Sequence, residues 1–186
     1  MNIDANMVER VKGVVKWPDP VLRTACKEIS TPFLIEGLAE RMRTVMRANS
    51  GLGLAAPQVG IPARMFIWEV DLDSGVVVNP SLEEPEGEAA MTEGCLSLPG
   101  VAVAVNRAES VTLVGLTASG EPLRLRGSGL LARVWQHELD HLNGLTLAER
   151  MTETETGGMM SRRAIKRLKV DYRNSQKKKK KGKGKR

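Results

Sequence analysis

The sequence predicts a mixed α+β domain. Two stretches carry apolar residues at helical spacing, several β-branched and aromatic runs are bounded by turn residues, and helices and strands do not alternate regularly as in a parallel α/β sheet. At 186 residues the chain suits one compact domain with a tail, long enough to bury a core without disulfides or a structural metal. A metal held here would then serve chemistry rather than folding.

The segment WPDPVLRTAC reads as turn-like, because prolines 18 and 20 bias the residues before them away from helix. From Thr31 to Ala48, Leu34, Ile35, Leu38, Met42, Val45 and Met46 recur at helical spacing, with Thr31 placed as N-cap and Pro32 in the first turn. GLGLAAPQVGIP follows, glycine-rich and bounded by proline. RMFIWEVD (64–71) and VVVNP (76–80) read as strands, and the acidic EEPEGE (83–88) as a loop. VTLVGLTASGEPLRLRG (111–127) reads as a hairpin in which Leu123 and Leu125 alternate with Arg124 and Arg126, Ser-Gly supplying the turn. Ser128 is the expected N-cap of a helix whose apolar face is Leu131, Val134, Trp135, Leu139 and Leu142, closed by Asn143-Gly144.

Two cysteines, Cys26 and Cys95, are too few and too far apart for an extracellular disulfide framework, which points to a reducing compartment. No run of about 18 apolar residues suggests a membrane span, and the N-terminal stretch has neither a signal core nor a transit pattern. The cytoplasm is therefore the expected location. The net charge of +6 is unevenly spread: 14 of the 28 basic residues and one of the 22 acidic residues fall in 161–186. That segment carries +13 and the remaining 160 residues −7. Within it, 161–174 places Ile165, Leu168 and Tyr172 like one face of a basic amphipathic helix, whereas the lysine-rich 175–186 has no apolar residue and reads as disordered. The expected division is a catalytic domain over 1–160, that C-terminal helix, and the tail. Such a charge block is either a solvated end or an attraction to a polyanion such as RNA.

The two histidines of the chain, His137 and His141, are four apart with Glu138 between them. On a helix this puts both imidazoles on one face, able to share a metal, with a carboxylate beside them as a general base. A lone H-E-x-x-H arises by chance on amphipathic helices, but here the helix is predicted independently of the motif. The third ligand distinguishes the readings. A metzincin-like protease would have histidine where Leu147 stands, and a thermolysin-like one a glutamate further downstream than Glu149, Glu153 or Glu155. Cys95, in the polar stretch EGCLSLPG, offers a thiolate instead, whereas Cys26 in RTACKEI reads as a small buried hydrophobe.

Three segments, GLGLAAPQ (51–58), EGCLSLP (93–99) and QHELDHLNG (136–144), together resemble the peptide deformylase family in order and spacing, and WPDPVLR resembles its N-terminal lead. The similarity covers residues 14–150. It implies a fold of mixed, mainly antiparallel strands wrapped around a central H-E-x-x-H helix, and hydrolysis of the formyl group from formyl-methionine of nascent polypeptides with release of formate. It also implies Cys95, His137 and His141 as ligands of one divalent metal, with Fe²⁺ expected and Zn²⁺, Ni²⁺ or Co²⁺ as substitutes. Glu138 would move protons, and the Leu96 N–H with the Gln58 side-chain amide would meet the oxyanion. Leu52, Gly53 and Gly94 would pair with the substrate backbone, the glycines 51 and 53 permitting close approach. Arg133 and Asp140 read as exposed helix positions, which the resemblance turns into supports of the site. Leu145 to Glu149 and Ala102 depart from the family pattern, at the groove rim rather than in the chemistry. The rival readings are an H-E-x-x-H metallopeptidase and a non-catalytic, ribosome-associated binding module. A monomer is expected, with formylated nascent peptides and, through the basic segment, the ribosome as partners.

Overall fold

The computed structural model describes residues 1–30 and 35–153. Helix α1 spans Ala5–Glu9 and α2 spans Ile35–Ala48; the strands are β1 Gly53–Ala55, β2 Met65–Val70, β3 Asp73–Glu86, β4 Ala89–Cys95, β5 Leu98–Arg107, β6 Ser110–Leu116 and β7 Pro122–Ser128. Helices α3, Gly129–Leu142, and α4, Leu147–Glu153, follow. Strands β1-β2-β3-β6-β7 form one antiparallel sheet, and β4-β5 a separate antiparallel hairpin. The α+β class is as the sequence predicts. The Thr31 cap, Pro32, the expected helix over 161–174 and the tail lie outside the described residues.

Helix α2 buries Ile35, Leu38, Ala39, Met42 and Met46, the face its spacing predicts, with Val45 partly buried beside them. The hairpin β6–β7 also forms as expected, with Leu113 opposite Leu125 and Gly120 at φ 89° in the connecting turn. Pro20–Arg23 is a short 3₁₀ turn that starts where the Asp19 carboxylate accepts from the Val21 N–H. Helix α3 packs on β1, β2, β6 and β7 and carries Trp135 into the core, where its ring meets Trp68 edge-on at 5.6 Å. Gly144, at φ 77°, follows the helix end in the left-handed conformation that only glycine takes readily. Ser128 is the N-cap by position, although its side chain makes no capping bond.

Most of the acidic run 83–88 is strand and not loop; only Gly87 and Glu88 form the connection to β4. Strand β3 continues through Glu86, with register shifts between Val78 and Ser81 and again between Glu83 and Glu86. Its glutamates stay at the surface, where Arg124 on β7 donates to Glu83 (2.6 Å) and Glu84 (2.8 Å), and Arg126 donates to Glu86 (2.5 Å). Cross-strand arginines thus supply what the local sequence lacks as a strand former. The polar stretch around Cys95 is likewise ordered, as the end of β4 and its turn into β5.

Candidate active site

The first turns of β1 set the closeness of the site. A Cβ placed on Gly53 would fall 2.6 Å from Glu138 Oε1 and 2.8 Å from Val134 Cγ1, so β1 lies against α3 at a distance that only glycine allows. A Cβ on Gly51 would meet Leu96 Cδ1 at 2.8 Å. The GLG motif therefore admits both a catalytic candidate and the residue after Cys95 to the same small volume.

On α3 the rings of His137 and His141 are 5.0 Å apart. Cys95 reaches them from the end of β4, where the register shifts between Gly94 and Cys95 and its Sγ comes within 3.2 Å of His141 Nε2. The ligand atoms of Cys95, His137 and His141 all lie within 4.8 Å of one another. Gln58 is buried above them. Its Oε1 accepts from the Ala55 N–H at 2.8 Å, which leaves Nε2 as the end facing the site, 3.7 Å from Cys95 Sγ. A cavity of about 440 Å³ opens here, lined by Leu52, Gly53, Gln58, Gly94, Cys95, Leu96, His137 and Glu138 among others. His141 lies beneath it, buried. All nine residues read from the sequence as site residues are thus brought together, and Cys26 is apart from them, partly buried against the core between the sheet and α3.

Two residues that the structure places against the site were not singled out in the sequence. Glu93, two positions before Cys95, accepts from His137 Nδ1 (2.9 Å), from Arg107 Nε and Nη2 (2.6 and 2.9 Å) and from Arg133 Nη1 (2.6 Å). With Nδ1 donating to Glu93, His137 turns its Nε2 lone pair toward Cys95 and His141. Arg107 also donates to Asp140 Oδ2 at 2.9 Å, and Arg150 forks onto the same carboxylate at 3.1 and 2.6 Å. Arg133 and Asp140 are therefore not exposed: they are 5% and 9% accessible, because the β4–β5 hairpin covers this face of α3. Period-two spacing of Glu93 before Cys95 is a signal that could have found the first; Arg107 needs the hairpin pairing, which spacing does not reveal.

The electrostatics favour a positive charge at this spot. Burial opposes ionisation of Glu93, yet the His137 and Arg107 hydrogen bonds bring its pKa down to about 2. Burial also opposes the Cys95 thiolate, but the neighbouring His141 and His137 imidazoles hold its pKa well below the usual thiol value. Burial raises Glu138 to about 7, against the pull of both histidines. Burial alone would lower His137; Cys95 and Glu93 raise it to about 10, so a proton is drawn to where a cation would stand. His141 Nδ1 and Glu138 Oε2 are buried with no hydrogen-bond partner among the described residues. A thiolate and two imidazoles converging on one point, with these carboxylates around them, fit a borderline divalent metal.

The polypeptide deformylase family model matches residues 11–157. The peptide deformylase of Carboxydothermus hydrogenoformans is 45% identical over 144 residues, covering 75% of this chain and 93% of its own. A plant peptide deformylase crystal structure superposes with a TM-score of 0.83 at 30% identity, covering 94% of this chain and 95% of that one. The Met-Ala-Ser-bound deformylase of Acinetobacter baumannii does so at 0.71 and 34% identity, over 74% and 96% of the two chains. With the H-E-x-x-H helix, the thiolate and the glutamine in one cavity, the chain belongs to the polypeptide deformylase family, the metal-dependent hydrolases that remove the formyl group from the N-terminal formyl-methionine of nascent polypeptides.

Proposed function

We propose that Cys95, through Sγ, and His137 and His141, through Nε2, hold the metal, and that Fe²⁺ is the working ion. The observation that carries this reading is the convergence of these three ligand atoms within 4.8 Å beside the buried Glu138 carboxylate and the Gln58 amide. When bound, the metal supplies Lewis acidity toward water and the formyl oxygen. Glu138 accepts the proton of the attacking water and returns it to the amine nitrogen as the C–N bond breaks. Gln58 Nε2 and the Leu96 N–H donate to the oxygen on which negative charge develops. Leu52, Gly53 and Gly94 present backbone to an extended peptide along the cavity, which suits substrates that share only their first residue. Glu93 fixes the tautomer and tilt of His137.

Metal analysis of anaerobically purified protein, with a formyl-Met-peptide assay after loading Fe²⁺, Zn²⁺, Ni²⁺ or Co²⁺ in turn, tests the ion. Equal or greater turnover with Zn²⁺ would refute iron. Glu138→Ala is expected to keep the metal and lose about 10² to 10⁴ in kcat; activity within about tenfold of wild type would remove Glu138 from its role.

The protein acts, on this reading, as a monomer in the reducing cytoplasm, in keeping with Cys26 and Cys95 forming no disulfide. Among the described residues no helix is long and apolar enough to cross a membrane. The +13 of residues 161–186 draws the enzyme to ribosomal RNA near the nascent-chain exit while the −7 body is repelled from it. Deleting 175–186 should leave kcat/KM on a short formyl peptide unchanged and weaken co-sedimentation with ribosomes, more so at higher salt. Removing 161–174 as well should weaken it further. Binding indifferent to both truncation and salt would return the tail to a solvated end.

A further inference from the structure

The two oxyanion donors come from segments far apart in the chain, Gln58 from the turn after β1 and Leu96 from the turn between β4 and β5. Three consecutive residues, Val15, Lys16 and Trp17, bridge them. The Val15 N–H donates to Gln58 O at 2.7 Å, Lys16 Nζ donates to Leu96 O at 2.7 Å, and the Trp17 N–H donates to Ser97 O at 2.9 Å. The Trp17 side chain is buried in the same apolar cluster as Leu98, so the bridge is anchored as well as bonded.

The β4–β5 turn depends on such outside help. It has two central residues, Leu96 and Ser97, since Cys95 pairs with Leu98. Two-residue hairpin turns favour left-handed conformations at their central positions, because these match the strand twist. Neither Leu96 nor Ser97 is in that region. Both carbonyls of the turn accept from 15–17 instead. The bond from Lys16 is charge-assisted, which makes it the stronger kind and the one a side-chain substitution can remove.

We infer that Val15–Trp17 is a strap that sets the spacing between the two oxyanion donors, and that Lys16 is a positioning residue that, by fixing the Leu96 carbonyl, limits rotation of the turn and so holds the Leu96 N–H, in the peptide just before it, in its catalytic orientation. The inference rests on the oxyanion roles proposed for Gln58 and Leu96. Lys16 does not line the cavity, so its effect passes through the turn and not through contact with substrate.

The experiment compares Lys16→Met, Lys16→Arg and Gln58→Leu in the full metal-loaded chain, measuring kcat, KM, metal content and thermal unfolding with a formyl-Met-Ala-Ser substrate. Lys16→Met should lose about tenfold in kcat, part of the roughly 10² to 10³ lost when an oxyanion donor is removed outright, with KM within about twofold. Metal content and Tm should not change, and Lys16→Arg should recover most of the loss, since it restores a charged donor. An unchanged kcat in Lys16→Met overturns the strap. So does a rise in KM at constant kcat, which would make Lys16 a substrate contact, or a fall in metal content or Tm matching the activity loss, which would make it structural. An unaffected Gln58→Leu would instead overturn the oxyanion roles beneath the inference.

Discussion

Gly53→Ala tests how closely the chemistry is machined into the fold. The added methyl would stand 2.6 Å from Glu138 Oε1, 2.9 Å from Glu138 Cγ and 2.8 Å from Val134 Cγ1. Ordinary contact is about 3.5 to 4.0 Å, so roughly 1 Å of separation must be opened between β1 and α3. Neither side yields easily: Leu54 and Ala55 are fully buried, Glu138 is buried on the helix, and β1 is paired to β2 along its whole length. Overpacking of this kind costs about 1 to 3 kcal/mol in stability. A displacement near 1 Å of a proton-transfer group costs on the order of 10² in rate. Steady-state kinetics on a formyl-Met peptide, paired with urea unfolding and metal analysis, should therefore show a moderately destabilised protein that keeps its metal and loses about a hundredfold in kcat/KM. Wild-type rate and stability in Gly53→Ala would show that β1 and α3 can part without consequence, and the reason given for the GLG motif would be wrong.

Glu93→Gln keeps the shape of the side chain but removes the anion that faces Arg107, Arg133 and His137; metal affinity, read by chelator competition, should fall about 10- to 100-fold. An unchanged affinity would reduce Glu93 to an ion-pair partner of the arginines. Burial raises the Cys26 thiol to about 11 against a usual value of 9.0, with Arg64 opposing it. A folded-state pKa raised above the unfolded one gives stability that is full below pH 9 and is lost as pH climbs through about 11. Cys26→Ala should therefore show a shallower fall in unfolding free energy across that window than wild type, by urea titration at several pH values; parallel curves would contradict the burial of the thiol.

Helix α3 was legible because its signals are local: His137 and His141 at i and i+4, the apolar spacing through Trp135 and Leu142, and Asn143-Gly144 at the end all agree. Helix α2 and the β6–β7 hairpin were legible for the same reason. What escaped depends on partners distant in sequence. Glu83, Glu84 and Glu86 look like loop residues until Arg124 and Arg126 are seen across β6. Arg133 and Asp140 look like surface helix residues until the β4–β5 hairpin closes over them. Arg107 carries no motif, yet it joins Glu93 to Asp140. Charged residues contradict the apolar pattern of a core, and only pairing resolves the contradiction.

The buried charges also stand where apolar packing alone would fail. Cys95 belongs to the hairpin, whose apolar side chains join Trp17, Leu22 and Leu147 in one cluster, whereas helix α3 is seated by Trp135, Val134 and Leu142 in another, with Phe66 and Trp68. Apolar contact is non-directional, so it resists separation of these two bodies more than small sliding between them. A metal site tolerates little sliding, since ligand distances must hold within about 0.2 Å. The Arg107–Asp140 bond, the His137–Glu93 bond and the Arg133 bonds to Glu93 and to the Ala89 and Val105 carbonyls are directional and join hairpin to helix, while the bidentate Arg107–Glu93 pair ties β5 to β4 within the hairpin. Buried ion pairs seldom add net stability, because desolvation offsets their attraction. Their retention here is therefore better explained by registry: they hold the cysteine strand and the histidine helix in the one alignment that leaves the Cys95, His137 and His141 donor atoms facing a single point.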